Sequence, residues 1–160
     1  MSQNPFEVPQ TMGPQAVEVM EGGLSLATQG QRFGNFFIDG IIVRIASFAV
    51  GLFVGGIMVA QNGGVMTPEQ EAMLNLVGFL LGLIVVLGYY VIMEAAFQKT
   101  IGKMLTGTHV VTADGNVPSF GQIVGRSFAR MIPFEPLSFF GKTPTGWHDR
   151  LSGTRVIRNS

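Results

Sequence analysis

The chain contains no cysteine, and only 12% of its 160 residues are Asp, Glu, Lys or Arg. Soluble domains carry about 25% charge. The missing cysteine excludes a disulfide-stapled scaffold. Ten basic residues against ten acidic ones leave no net charge, which excludes a nucleic-acid binder driven by a global positive field. The charge is absent in blocks: none from Ile45 to Pro68, and none from Ala72 to Met93. Each block exceeds the roughly 20 residues that cross a hydrocarbon core. An ordinary soluble enzyme is excluded, and an all-α membrane protein is expected. The first apolar run starts too late and extends too far to be a secretory signal, whose apolar region spans about 7–15 residues. The two runs read as a transmembrane hairpin, with helices over about 34–60 and 69–97.

What is present falls into distinct parts. Residues 1–31 carry Pro5, Pro9, Pro14 and several glutamines and glycines without apolar periodicity, the composition of a flexible N-terminal tail. Leu24 to Ala27 is a short apolar lead-in lying on the surface. The membrane domain is then 32–160. Between its helices stands a cluster of chain breakers, Gln61 to Pro68. Thr67 followed by Pro68 and Gln70 predicts a capped helix start, with proline at the first position and a capping-box partner at the third.

Charge placement predicts orientation. The loop between the helices has no Lys or Arg, whereas the segment after the second helix holds Lys99, Lys103, Arg126, Arg130, Lys142, Arg150, Arg155 and Arg158. By the positive-inside rule both termini are expected in the cytoplasm.

The last third of the chain is too polar to span again. Ser119 and Gln122 have capping-box spacing and predict a helix over about 119–132, stopped by Pro133. Phe120, Ile123, Val124, Phe128 and Met131 share one face, and Arg126 and Arg130 the opposite one. The pattern predicts an amphipathic interfacial helix on the cytoplasmic side, with its arginines at anionic headgroups. The stretch Leu105-Thr106-Gly107-Thr108-His109-Val110-Val111 is echoed by Leu151-Ser152-Gly153-Thr154-Arg155-Val156-Ile157. Both copies end in strand-like sequence. They are expected to pair as a small two-stranded β patch, with Asp114-Gly115 turning the chain after the first strand.

Candidate functional residues are few. Gly51 and Gly55 in the first helix and Gly78 and Gly82 in the second have small-xxx-small spacing, which lets helix backbones approach within or between protomers. Arg32, Asp39, Arg44 and Glu94 form a candidate membrane charge cluster. Asp39 and Glu94 should lie at similar depth, bridged by Arg44, Arg32 or Lys99. An ionisable group inside a membrane is a functional candidate, but near helix ends long side chains reach the interface, and structural pairing is the favoured reading. His148 beside Asp149 has no third ligand at recognised spacing, so no metal or cofactor is expected. Gly141-Lys142-Thr143 lacks the upstream glycine and preceding strand of a phosphate loop.

With these residues assembled, the chain resembles the RDD family of bacterial membrane proteins over roughly 30–157. The resemblance rests on Arg32, Asp39, the run Gln98-Lys99-Thr100-Ile101-Gly102-Lys103, His109-Val110-Val111 leading to Asp114-Gly115, Arg126 and Arg130 before Pro133, and Gly146-Trp147-His148-Asp149-Arg150-Leu151-Ser152-Gly153-Thr154. It places the family's arginine and two aspartates on Arg32, Asp39 and Asp149, and its further motif positions on Thr100, Gly102, Lys103, Trp147 and His148. It implies a small multi-pass protein of the bacterial cytoplasmic (inner) membrane, of largely unassigned role. The expected function is a structural or interaction module that assembles with itself or with other membrane proteins, with no enzyme activity and no nucleic-acid partner. The alternative is a component of an oligomeric transporter or cation/proton exchanger using Asp39 and Glu94.

Overall fold

The computed structural model describes residues 20–21, 24–141 and 144–159. Most of the tail expected over 1–31 lies outside them. Two long helices dominate: α1, Gln29–Gln61, and α2, Pro68–Phe97. Both are long and apolar enough to cross a membrane. At 1.5 Å per residue they measure about 50 and 45 Å, well beyond a hydrocarbon core of about 30 Å. A compact head is built around the helix ends away from the turn.

Helix starts are set by side chains. Thr67 accepts from Gln70 N–H, and the Gln70 side chain accepts from Thr67 N–H, the reciprocal cap expected from sequence. Thr28 and Gln31 make the same box at the start of α1. They begin the helix at Gln29, several residues before the expected boundary. Gln98 ends α2 in the left-handed conformation.

The head comprises α3 (Ile101–Thr106), a strand Thr108–Thr112, α4 (Phe120–Ala129), a 3-10 turn Glu135–Phe140, α5 (Trp147–Ser152) and a strand Thr154–Arg158. The observed α4 is shorter than the expected 119–132. The two strands pair antiparallel, Thr108 opposite Arg158 and Thr112 opposite Thr154. The sequence echo is thus a repeated helix–glycine–strand unit. Gly107 and Gly153 take the left-handed φ of +67° and +63° that ends each short helix. Val110 pairs with Val156, its own counterpart in the echo. A local two-fold axis therefore passes between them.

The lead-in Leu24 to Ala27 is not a surface segment. Leu26 bridges to Ile157, Ala27 N–H donates to Val156 C=O, and both side chains are fully buried. The strand edge beside Val156 would otherwise carry unpaired backbone groups. The lead-in covers it.

Candidate functional site

In the head, conventional burial is inverted. On α4 the buried positions are Ile123, Arg126, Ser127 and Ala129, while Phe120 and Phe128 are exposed. At the head end of α1, Arg32, Asn35 and Asp39 are buried while Phe33, Phe36 and Phe37 are exposed. In α3 and α5, Lys103 and Asp149 point inward, and the echo-related Leu105 and Leu151 point outward, 70% and 69% exposed. A polar core with an apolar exterior suits a hydrocarbon or interfacial surrounding rather than water.

The core is a ladder of alternating charge. Lys103 Nζ donates to Glu94 Oε1 at 2.7 Å, and Arg126 Nε lies 2.9 Å from Glu94 Oε2. Arg126 Nη2 then reaches Asp149 Oδ1 at 3.1 Å, and Arg32 donates to Asp149 Oδ2. Arg130 adds a 2.9 Å contact to Glu94 Oε1 and stacks on the Tyr90 ring, 4.3 Å from its centroid. A side branch joins Glu135 to His148 Nδ1, whose Nε2 lies 3.2 Å from Asp149 Oδ1. Fully buried charge is tolerated only when paired in this way. Asp149 is held well below the usual carboxylate range: burial opposes its ionisation, but Arg32, His148 and Arg126 outweigh it. Glu135 is also lowered, burial being outweighed by its bond from His148. Burial pushes Lys103 down to about 8 despite Glu94.

Asp39 stands apart from the ladder and is saturated by neutral donors. Tyr89 Oη–H donates to Oδ1 at 2.7 Å, Gly102 N–H to Oδ1 at 2.8 Å, and Thr100 Oγ1–H to Oδ2 at 2.6 Å. Gly102 is required by proximity: a Cβ there would stand 2.8 Å from Asn35 C=O and 2.9 Å from Asp39 Oδ1. The threonines of the echo close the network. Thr108 Oγ1 accepts from Asn35 Nδ2, and Thr154 Oγ1 accepts from Arg126 Nη1 at 2.9 Å.

The structure corrects several expectations about individual residues. Arg126 does not reach outward to headgroups: it has no exposure at all, because Glu94 and Asp149 draw it inward. Arg130, which caps α4, is turned toward Glu94 but keeps 17% of its side chain exposed. Asp39 and Glu94 are not bridged by Arg44, Arg32 or Lys99: Arg32 serves Asp149, and Arg44 is exposed outside the ladder. Of the motif positions, Thr100, Gly102, Lys103, His148 and Asp149 converge in the core, while Trp147 is 41% exposed. Of the helix glycines, Gly55 faces Leu74 across the hairpin, where an added Cβ would stand 3.8 Å from its side chain, but Gly51, Gly78 and Gly82 face open space. They do not pack the hairpin itself.

Sequence reasoning missed Asn35, Thr108, Thr154 and Glu135. The threonines were detectable, since both stand at the same position of the echo. Among the described residues no cluster of His, Cys, Asp and Glu is arranged to hold a metal ion.

Comparison with known proteins places the chain in a family. The model of the RDD family, a family of membrane proteins, matches residues 26–153, which include every ladder residue. A protein of Bacillus subtilis (strain 168), "Uncharacterized protein YxaI", is 33% identical over 144 residues, covering 79% of this chain and 93% of that protein. No solved structure matches. The chain belongs to the RDD family.

Proposed function

For this RDD-family membrane protein we propose a non-catalytic role: a membrane-embedded structural module whose head locks the ends of a helical hairpin and presents the hairpin for assembly. One observation carries the reading. Both carboxylates are already engaged: Asp39 accepts from Tyr89, Thr100 and Gly102, and Glu94 is ion-paired with Lys103, Arg126 and Arg130, its Oε2 by the contact to Arg126 alone and without a hydrogen bond among the described residues. A carboxylate that carries an ion or proton must exchange partners, and these are held mainly by buried donors. The apolar exterior of α3, α4 and α5 supports a head seated in the interfacial layer. The basic excess after α2 supports the cytoplasmic side of the bacterial inner membrane. Gly51, Gly78 and Gly82, open to the outside of the hairpin, suit close contact with a second copy or another membrane helix.

The alternative, cation or proton exchange by an oligomer through Asp39 and Glu94, requires this network to open during each cycle. Reconstituting the purified full-length protein separates the two readings. The structural reading expects no pH-driven cation flux from wild type, and a lower melting temperature for Asp39→Asn. Wild-type flux that Asp39→Asn abolishes without changing the melting profile would overturn it.

A further inference from the structure

The residue that this network leaves out is Arg44. It is exposed, and no ion pair or hydrogen bond to it is found among the described residues. It is also the last charge on α1 before the uncharged run that begins at Ile45. The side chain does not extend into that run. Its Nη1 lies back along the helix, 3.8 Å from where a Cβ on Gly40 would stand. The guanidinium is therefore directed toward the head, the course by which a long cationic side chain at the edge of a hydrocarbon layer reaches the phosphates.

Beside it opens a cavity of about 260 Å³, between α1, α2 and the end of α4, whose lining includes Val43, Arg44, Val86, Arg130, Met131 and Pro136. The walls from α1 and α2 are apolar, and two guanidiniums lie at the cavity. Arg130 is bound to Glu94 and stacked on Tyr90, yet its Nε–H has no hydrogen-bond partner. Glu135 also lines the cavity, but its carboxylate is engaged by His148 and Ser138. Arg44 is thus the charged group of the lining left without an ion pair or hydrogen bond among the described residues.

We propose that this cavity is a binding site for an anionic phospholipid, with the phosphate on Arg44 beside Arg130 and the acyl chains along Val43 and Val86. A zwitterionic lipid brings its own cation next to the arginine pair, so the site favours a net negative headgroup. A free phosphate can satisfy Arg44 but leaves the apolar walls empty. The headgroup contact expected of Arg126 and Arg130 thus falls chiefly to Arg44 of α1, with Arg130 beside it.

The inference rests on α1 and α2 crossing the bilayer. That premise is checked separately, since the wild-type protein should resist alkaline carbonate extraction from membranes. The binding test uses the full-length protein in mild detergent, titrated with dioctanoyl phosphatidylglycerol, dioctanoyl phosphatidylcholine or inorganic phosphate. Saturable binding is read by native mass spectrometry and by the rise in melting temperature. Phosphatidylglycerol is expected to bind at least about tenfold more tightly than the other two, because phosphatidylcholine sets its own ammonium beside the arginines and inorganic phosphate has no acyl chains for the apolar walls. Arg44→Gln should remove that preference while leaving the lipid-free melting temperature unchanged, because the side chain is exposed. Gly40→Leu should weaken binding by filling the space over which the guanidinium lies, and Arg150→Gln, an exposed arginine elsewhere, should bind like wild type. Equal binding of the two lipids, unchanged preference in Arg44→Gln, or inorganic phosphate matching phosphatidylglycerol would each overturn the site.

Discussion

Lys103 and Asp149 occupy the same position in the two copies of the helix–glycine–strand unit, one turn before Gly107 and Gly153 respectively, and they carry opposite charge. Each is buried against the ladder, Lys103 on Glu94 and Asp149 on Arg126 and Arg32. The local two-fold of the backbone thus becomes a charge dipole in the core. One copy supplies a cation to the hairpin and the other an anion, and Arg126 joins the two ends.

Glu94→Gln should be among the most damaging single changes. It leaves Lys103, Arg126 and Arg130 facing a neutral amide in a buried core, and breaking a buried pair from one side costs about 3–5 kcal/mol. Adding Lys103→Met to that variant removes one uncompensated charge. The double variant should melt higher than Glu94→Gln alone, a coupling that thermal unfolding in mild detergent measures.

Gly102→Ala tests the close approach of α3 to α1. The new methyl meets backbone oxygen and a carboxylate rather than a flexible side chain, so a loss of about 1–3 kcal/mol is expected, as for other overpacked sites. Gly125→Ala, where nothing stands within 4 Å, is the matched control. It should be neutral or slightly stabilising through helix propensity.

Acid should destabilise the head through Asp149 and Glu135. Both are lowered in the folded state from ordinary values of 3.8 and 4.5. Their contribution is fully present above those values and is lost as pH falls through them toward the folded ones. The melting temperature should therefore hold from neutral pH to about 5 and drop below it. Asp149→Asn should start lower and show a shallower drop.

On the alkaline side the sign reverses. Lys103 titrates at about 8 when folded against 10.5 in the unfolded chain. Between those values the unfolded state holds more protons, so this residue alone makes stability rise with pH. Wild type should gain stability relative to Lys103→Met across that window, and a parallel pH profile of the two proteins would refute the assignment.

The hairpin, its turn, the Thr67 cap and the strand pairing were all legible, because each depends on local signals: uncharged runs, breakers, capping spacing and a repeated septet. The ladder was not. Arg126 and Arg130 show why. Periodicity correctly placed them opposite Phe120 and Phe128 on α4, but it does not say which face turns inward. The convention that charge faces out fails here, because the carboxylates of Glu94 and Asp149, distant in sequence, draw Arg126 inward. The opening box of α1 was missed for a simpler reason. Thr28 and Gln31 stand at capping spacing within a segment whose composition reads as tail.

The pairing of Arg32 with Asp149 spans 117 positions of sequence, and it orders events during synthesis. Arg32 is made before either long helix is complete, and its partner only after both. Through that interval the guanidinium has no Asp149 to pair with, and an unpaired charge is stable only in water. The head end of α1 therefore stays hydrated until the last helix of the head is made. Closure of the ladder, which dehydrates both ends together, comes as a late step that fixes the hairpin in place.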